Sequence, residues 1–182
     1  MIAAAEAVLA ERGADGFSLR ETARRAGVSP AAPAHHFGDA SGLLTAVAAG
    51  AFRDLGDSLE EAGLAGGGDS PIRAQGIAYV RFALANRPRF ELMWRAALLR
   101  RDDPEYAAAA ARAFRLLDRA VRGGEGGAQA PGGPETAPSI ACWAMVHGFA
   151  ALALDGAFGT APGAAEAAVG GLLPAVLDHL AI

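Results

Sequence analysis

The sequence predicts an all-α protein, and three observations carry that prediction. Alanine is very frequent while aromatic residues make up only 7% of the chain, a balance that suits helices better than sheets. Glycine and proline cut the chain into about nine segments of helical length and period. No stretch alternates apolar and polar β-branched residues with a period of two, so no sheet is expected. With 182 residues, 52% of them apolar and 20% charged, the chain can fill a core and is not intrinsically disordered.

The first four segments are short. Residues 1–13 place Ile2, Ala5, Val8 and Leu9 on one stripe. Residues 19–26 form a short helix that opens on a capping box, in which Ser18 and Glu21 are expected to satisfy each other's free backbone donors. Ala26-Gly27-Val28 is a tight turn, with Gly27 free to take positive φ. A third helix is expected from Ser29 as N-cap, with Pro30 at its first position, to Phe37-Gly38. A fourth follows Asp39 and carries Leu43, Leu44, Val47 and Phe52 on its apolar side. Phe17, Leu19, Val28 and Phe37 are expected to bury this unit.

Later segments are longer. Breaks fall at Gly66-Gly67-Gly68, Arg87-Pro88 and Asp103-Pro104, and the run from Gly123 to Pro134 is a flexible loop by composition. The segment from Ile140 to Leu154 is apolar nearly all round, so it must be buried on several sides. The last helix, about 163–180, bears a stripe of Val169, Leu172, Leu173, Val176, Leu177 and Leu180. Ala165, Ala168, Gly170 and Gly171 would admit another helix closely, and Pro174 predicts a kink.

Several function classes are excluded. All 16 basic residues are arginine, and with 20 acidic residues the net charge of −4 rules out a polycationic coat. The single cysteine, Cys142, excludes a disulfide framework and a cysteine-based zinc site. His35 and His36 are adjacent and cannot jointly chelate a metal. Cys142 and His147 stand about 140° apart around a helix, which excludes a nucleophile–base dyad. No phosphate loop or paired carboxylate set is present. The expectation is no enzyme, no cofactor and no metal. The N-terminus lacks a basic signal region, and Ile140 to Leu154 is too short for a membrane span and contains His147. A soluble, cytoplasmic protein is expected.

A capped helix, a glycine turn and a second short capped helix make a helix-turn-helix over residues 18–37. Its second helix exposes Pro30, Ala31, Ala34, His35 and His36, short side chains that let the backbone approach base edges in a major groove. N–H groups at the helix starts, around Ser18, Leu19, Arg20 and Ser29, suit phosphates. Residues 1–55 hold five arginines against six acids, a net of −1, but residues 17–38 hold three arginines against one acid. Positive charge is therefore concentrated on the motif. Arg24 and Arg25 read equally well as phosphate contacts or as a solvated face.

Phe17-Ser18-Leu19-Arg20, Ala23, Ala26-Gly27-Val28-Ser29, His36-Phe37 and Leu43-Leu44 resemble the tetracycline-repressor (TetR) family of bacterial regulators. Trp143 to Gly148 resembles the Trp-His-Gly signature of one C-terminal subfamily, and Asn86-Arg87-Pro88 with Phe90, Leu92 and Met93 fits it too, as does Pro33. The resemblance implies a homodimeric, all-helical repressor whose C-terminal domain binds a small-molecule inducer. This chain departs from the family in Ala34, where an aromatic is common, and in Ala40, where a lysine is usual; the sequence as given begins almost inside its first helix, before which the family usually carries a basic arm.

The resulting expectation has two parts. Residues 1–55 bind operator DNA, and residues 56–182 sense a small hydrophobic effector and dimerise. Ligand candidates are Phe90, Met93, Trp94, Trp143 and His147, of which His147 reads equally as a hydrogen-bonded core histidine. Dimer-interface candidates are Phe149, Leu172, Leu173, Val176 and Leu177. The alternative is a helical small-molecule-binding protein with degenerate DNA binding, which Ala34 and Ala40 motivate.

Overall fold

The computed structural model describes residues 1–65, 70–124, 127 and 130–179. Among them are nine α-helices and no strand: α1 (Ile2–Arg12), α2 (Leu19–Arg25), α3 (Ala32–Phe37), α4 (Ala40–Ala65), α5 (Pro71–Ala85), α6 (Arg87–Met93), α7 (Pro104–Val121), α8 (Ala137–Leu154) and α9 (Ala164–Leu177). They divide into two compact units. Unit 1 takes residues 1–53 and 86–110, and unit 2 takes 54–85 and 111–182, so α4 runs through both. Residues 66–69, 125–126, 128–129 and 180–182, Leu180 among them, lie outside the described residues.

In unit 1, α1 packs on α2 and α6, and α2 packs on α3. Ala5, Val8 and Leu9 form the buried stripe of α1, and Ala23 fills the crossing on α2 with no exposed surface. Asp39 caps α4, accepting from Gly42 N–H at 2.9 Å, and that bond with the Arg100 guanidinium holds its carboxyl below the usual range. The α6 segment returns to this unit. Arg89 pairs with Glu6 of α1 at 3.2 Å, and Phe52 of α4 takes the edges of Trp94 and Tyr106 at ring distances of 5.5 Å.

In unit 2, α5 packs on α8 and α9. Gly76 makes this closeness possible: a Cβ there would come within 3.0 Å of Leu177 Cδ2 and 3.2 Å of Val146 Cγ1. At the other end of α8, buried Asp118 accepts from Ser139 Oγ at 2.7 Å and Arg122 Nε at 2.9 Å, tying α7 to the start of α8. By length and composition the stretch Pro134–Leu154 could cross a bilayer, which the shorter count from Ile140 missed. Here Ala137–Leu154 of that stretch forms α8 of unit 2, with Cys142, Val146, Phe149, Ala150 and Ala153 buried and Ile140 and Leu152 exposed, and burial pushes the Cys142 thiol up.

Four local expectations are corrected. The α3 helix begins at Ala32 and not after Ser29, because Pro33 has no N–H to give the Ser29 carbonyl; that carbonyl takes the Ala32 N–H instead, at 3.1 Å, in a tighter turn. The capping box is half made. Ser18 Oγ accepts from Glu21 N–H at 3.3 Å, but the Glu21 carboxylate turns away to Arg24 and Arg25, where it gains two charged partners. Val28, expected in the core, is 39% exposed. On α9 the apolar stripe splits into a buried row, Val169, Leu173 and Leu177, and an outer pair, Leu172 and Val176. The helix continues through Pro174 to Leu177.

Candidate nucleic-acid interface and ligand site

The turn between α2 and α3 is a Schellman closure. Val28 N–H bonds the Ala23 carbonyl and Gly27 N–H the Arg24 carbonyl, with Gly27 at φ +67°. This fixes where α3 leaves α2. Pro33 is the buried residue of α3, its anchor to the unit. Around it Ser29, Pro30, Ala31, Ala34, His35 and His36 are all exposed, as is Arg20, while Ser18 and Leu19 are half-buried. The Ser18 hydroxyl is committed to its cap. His36 stands edge-on to Phe37 with ring centroids 4.8 Å apart. The outer surface of α3 thus carries small residues beside the imidazoles of His35 and His36, with no arginine or acid on it.

The charge around it is less free than the sequence count implies. Arg24 makes a two-pronged pair with Glu21 at 2.8 and 2.9 Å. Arg25 reaches Glu21 at 2.8 Å and binds both oxygens of Glu11 on α1 at 2.5 and 2.6 Å. Hydrogen bonds from Arg24 and then Arg25 hold the Glu21 carboxyl down at about 2, so it stays ionised. A solvated, internally paired face describes Arg24 and Arg25 in this state. The spacing of Glu21 with Arg24 and Arg25 is visible in the sequence; Glu11 comes from another helix and was not.

Arg100 is another residue that sequence reasoning missed. Its guanidinium pairs with Asp39 at 2.9 Å and lies over Gly38, where an added Cβ would be 3.1 Å away. Its backbone N–H donates to Thr45 Oγ1 at 2.9 Å, and Ser41 Oγ donates to the Leu98 carbonyl at 2.9 Å. A cation from far along the chain thus stands at the α3–α4 junction, where Ala40 brings none.

In unit 2, Tyr79 Oη lies 2.9 Å from His147 Nδ1. The Trp143 indole also bonds the Tyr79 hydroxyl. The indole N–H only donates, while His147 Nδ1 accepts from or donates to the Tyr79 hydroxyl according to its tautomer. Burial lowers the His147 pKa, so the ring stays neutral, and burial raises that of Tyr79. Trp143 also meets Phe114 edge-on at 6.3 Å. Trp143 and His147 therefore belong to one polar cluster with Tyr79. Phe90, Met93 and Trp94 lie in unit 1, the first two buried there, and Trp94 packs on Phe52 and Phe90.

The dimer candidates divide too. Phe149, Leu173 and Leu177 are buried within their own unit, at 5%, 0% and 5% exposure. Leu172 is 46% exposed, and so are Leu152 at 50% and Ile140 at 39%, so unit 2 presents apolar side chains outward from α8 and α9. No group of three or more potential metal ligands occurs among the described residues.

Comparison with known proteins adds a family. Residues 1–47 match the family model described as bacterial regulatory proteins, tetR family, and residues 72–175 match the tetracyclin repressor-like, C-terminal domain. A structure of a protein of unknown function from Rhodococcus sp. RHA1 is 32% identical over 100% of this chain and 93% of its own, with a TM-score of 0.77. The TetR family transcriptional regulator PfmR from Thermus thermophilus is 20% identical over 98% of this chain and 95% of its own, with a TM-score of 0.66. No curated protein matches the chain.

Proposed function

The chain belongs to the tetracycline-repressor family of transcriptional regulators, and on that premise we propose that it is a ligand-responsive repressor acting as a homodimer. The two α3 helices of the dimer enter successive major grooves of a near-palindromic operator, about 34 Å apart. Pro30, Ala31, Ala34, His35 and His36 face the bases, while Ser29, Arg20 and the backbone at Ser18 and Leu19 face phosphates. The observation that carries this reading is the exposed, small-residue surface of α3, held by the Gly27 closure and anchored by buried Pro33. The Trp143-Ala144-Met145-Val146-His147-Gly148 run supports the Trp-His-Gly subfamily assignment.

A small hydrophobic effector binds unit 2 beside Tyr79, Trp143 and His147 and favours a conformer whose α3 helices no longer match the operator. Trp143 sits in that cluster, so tryptophan emission should report effector entry. The test of the DNA reading is a mobility shift with the DNA flanking the protein's own coding region at two salt concentrations. His35→Ala should weaken binding by about 1–3 kcal/mol if His35 reads a base. Equal binding by wild type and Gly27→Pro would refute the reading. The alternative, a small-molecule-binding protein with degenerate DNA binding, is favoured by one observation: the internal pairing of Arg24 and Arg25. No shift with that DNA at low salt would support it.

A further inference from the structure

Among the described residues of unit 2, one buried side-chain polar atom has no hydrogen-bond partner. Gln75 on α5 is 6% exposed, and its Oε1 has no hydrogen-bond partner among the described residues. Buried amide oxygens are nearly always bonded, so such an orphan calls for an explanation. Gly63 on α4 stands beside it: a Cβ there would lie 3.1 Å from Gln75 Nε2, so the glycine lets the amide pack closely against α4. The adjacent residue on α5, Gly76, meets Leu177 and Val146, which closes that side. One turn on from Gln75, and on the same face, Tyr79 joins His147 and Trp143.

We propose that Gln75 Oε1 is the acceptor of the effector site, and that it takes a hydrogen bond from the hydroxyl of an uncharged, largely hydrophobic phenol or alcohol. The proposal rests on the effector reading above and specifies its chemistry. The orphaned atom only accepts, so the ligand must donate. The donor is neutral because a buried cation needs a carboxylate beside it. The buried acid of this unit, Asp118, is already engaged by Ser139 and Arg122. The aromatic faces of Tyr79 and Trp143 suit the ligand's apolar body.

The test uses the full-length protein and two isosteric probes, 4-propylphenol and 4-propyltoluene, with dissociation constants from calorimetry on wild type and Gln75→Leu. The ratio of the two constants cancels the difference in hydrophobicity between the probes within each protein. That ratio, toluene over phenol, should fall about tenfold in Gln75→Leu, the effect of one lost hydrogen bond. Gln75→Leu should also melt above wild type, since it removes the orphan. A ratio unchanged within about twofold, or binding of neither probe, would overturn the proposal. Should Gln75→Leu fail to fold, Gly63→Ala, whose Cβ would press on the Gln75 amide, should weaken 4-propylphenol about tenfold; unchanged binding would overturn the proposal equally. Operator release is scored separately. A tenfold ratio with the operator still bound refutes the effector reading alone, and operator release with an unchanged ratio refutes the Gln75 acceptor alone.

Discussion

Replacing Gly27 with alanine isolates one physical effect. Gly27 sits at φ +67°, in the left-handed region, and a Cβ built there meets nothing within 4 Å. The cost is therefore conformational alone, about 1–2 kcal/mol for an L-residue in that region. Alanine also restricts the unfolded chain, which returns about 0.4–1 kcal/mol. The net expectation is a loss of about 1 kcal/mol, or about 2–4 °C in Tm for a chain of this size. Gly76→Ala makes the contrast, because its Cβ would press on Leu177 and Val146 at 3.0–3.2 Å. Overpacking there should cost about 1–3 kcal/mol. Both are read by urea and thermal unfolding followed by circular dichroism. A loss above about 3 kcal/mol for Gly27→Ala, or a gain in stability, would refute the reasoning, since neither agrees with an open site under backbone strain alone.

Three further outcomes are expected. Burial lowers the His147 pKa from its ordinary 6.5, so above that value the unfolded chain has no protonation advantage. As pH falls below it the unfolded imidazole takes a proton that the folded one resists, so stability drops toward pH 5; thermal melts across pH 5–8 should show this slope flattened in His147→Phe. Leu152→Glu with Leu172→Glu alters exposed apolar positions of α8 and α9, so sedimentation should show folded monomers, whereas Leu173→Glu, with no exposed surface, should unfold the chain. Ser18→Ala removes the acceptor for Glu21 N–H and should cost about 1 kcal/mol in a urea titration, with Arg24 and Arg25 still paired.

Local chemistry was legible in the sequence, and long-range partnership was not. The cap at Ser18, the turn at Gly27, the start of α4 after Asp39 and the break at Arg87-Pro88 follow from single residues whose backbone preferences leave little choice. The late start of α3 could also have been read, since Pro33 removes the bond that a helix capped by Ser29 needs. Arg100 reaching Asp39, Glu11 reaching Arg25 and Tyr79 reaching His147 join residues 61, 14 and 68 positions apart, and no periodicity encodes such pairs. His147 was a candidate because a buried imidazole needs a partner; which partner required the fold. Gln75 gave no signal, because one amide on an amphipathic helix looks like any solvated polar residue until its neighbours bury it.

The pairing of Arg24 and Arg25 with Glu21 and Glu11 bears on how fast such a protein would find its target. Long-range attraction depends on uncompensated charge, and carboxylates within hydrogen-bonding distance cancel most of the field of these two guanidiniums beyond a Debye length of about 8 Å. An unsteered docking partner associates at about 10⁵–10⁶ M⁻¹s⁻¹, against 10⁸ or more with strong steering. Residence on random duplex should be brief, because few condensed counterions are released per encounter. Target occupancy in the cell would then follow copy number and the lifetime of the matched complex, and little of it would come from one-dimensional sliding.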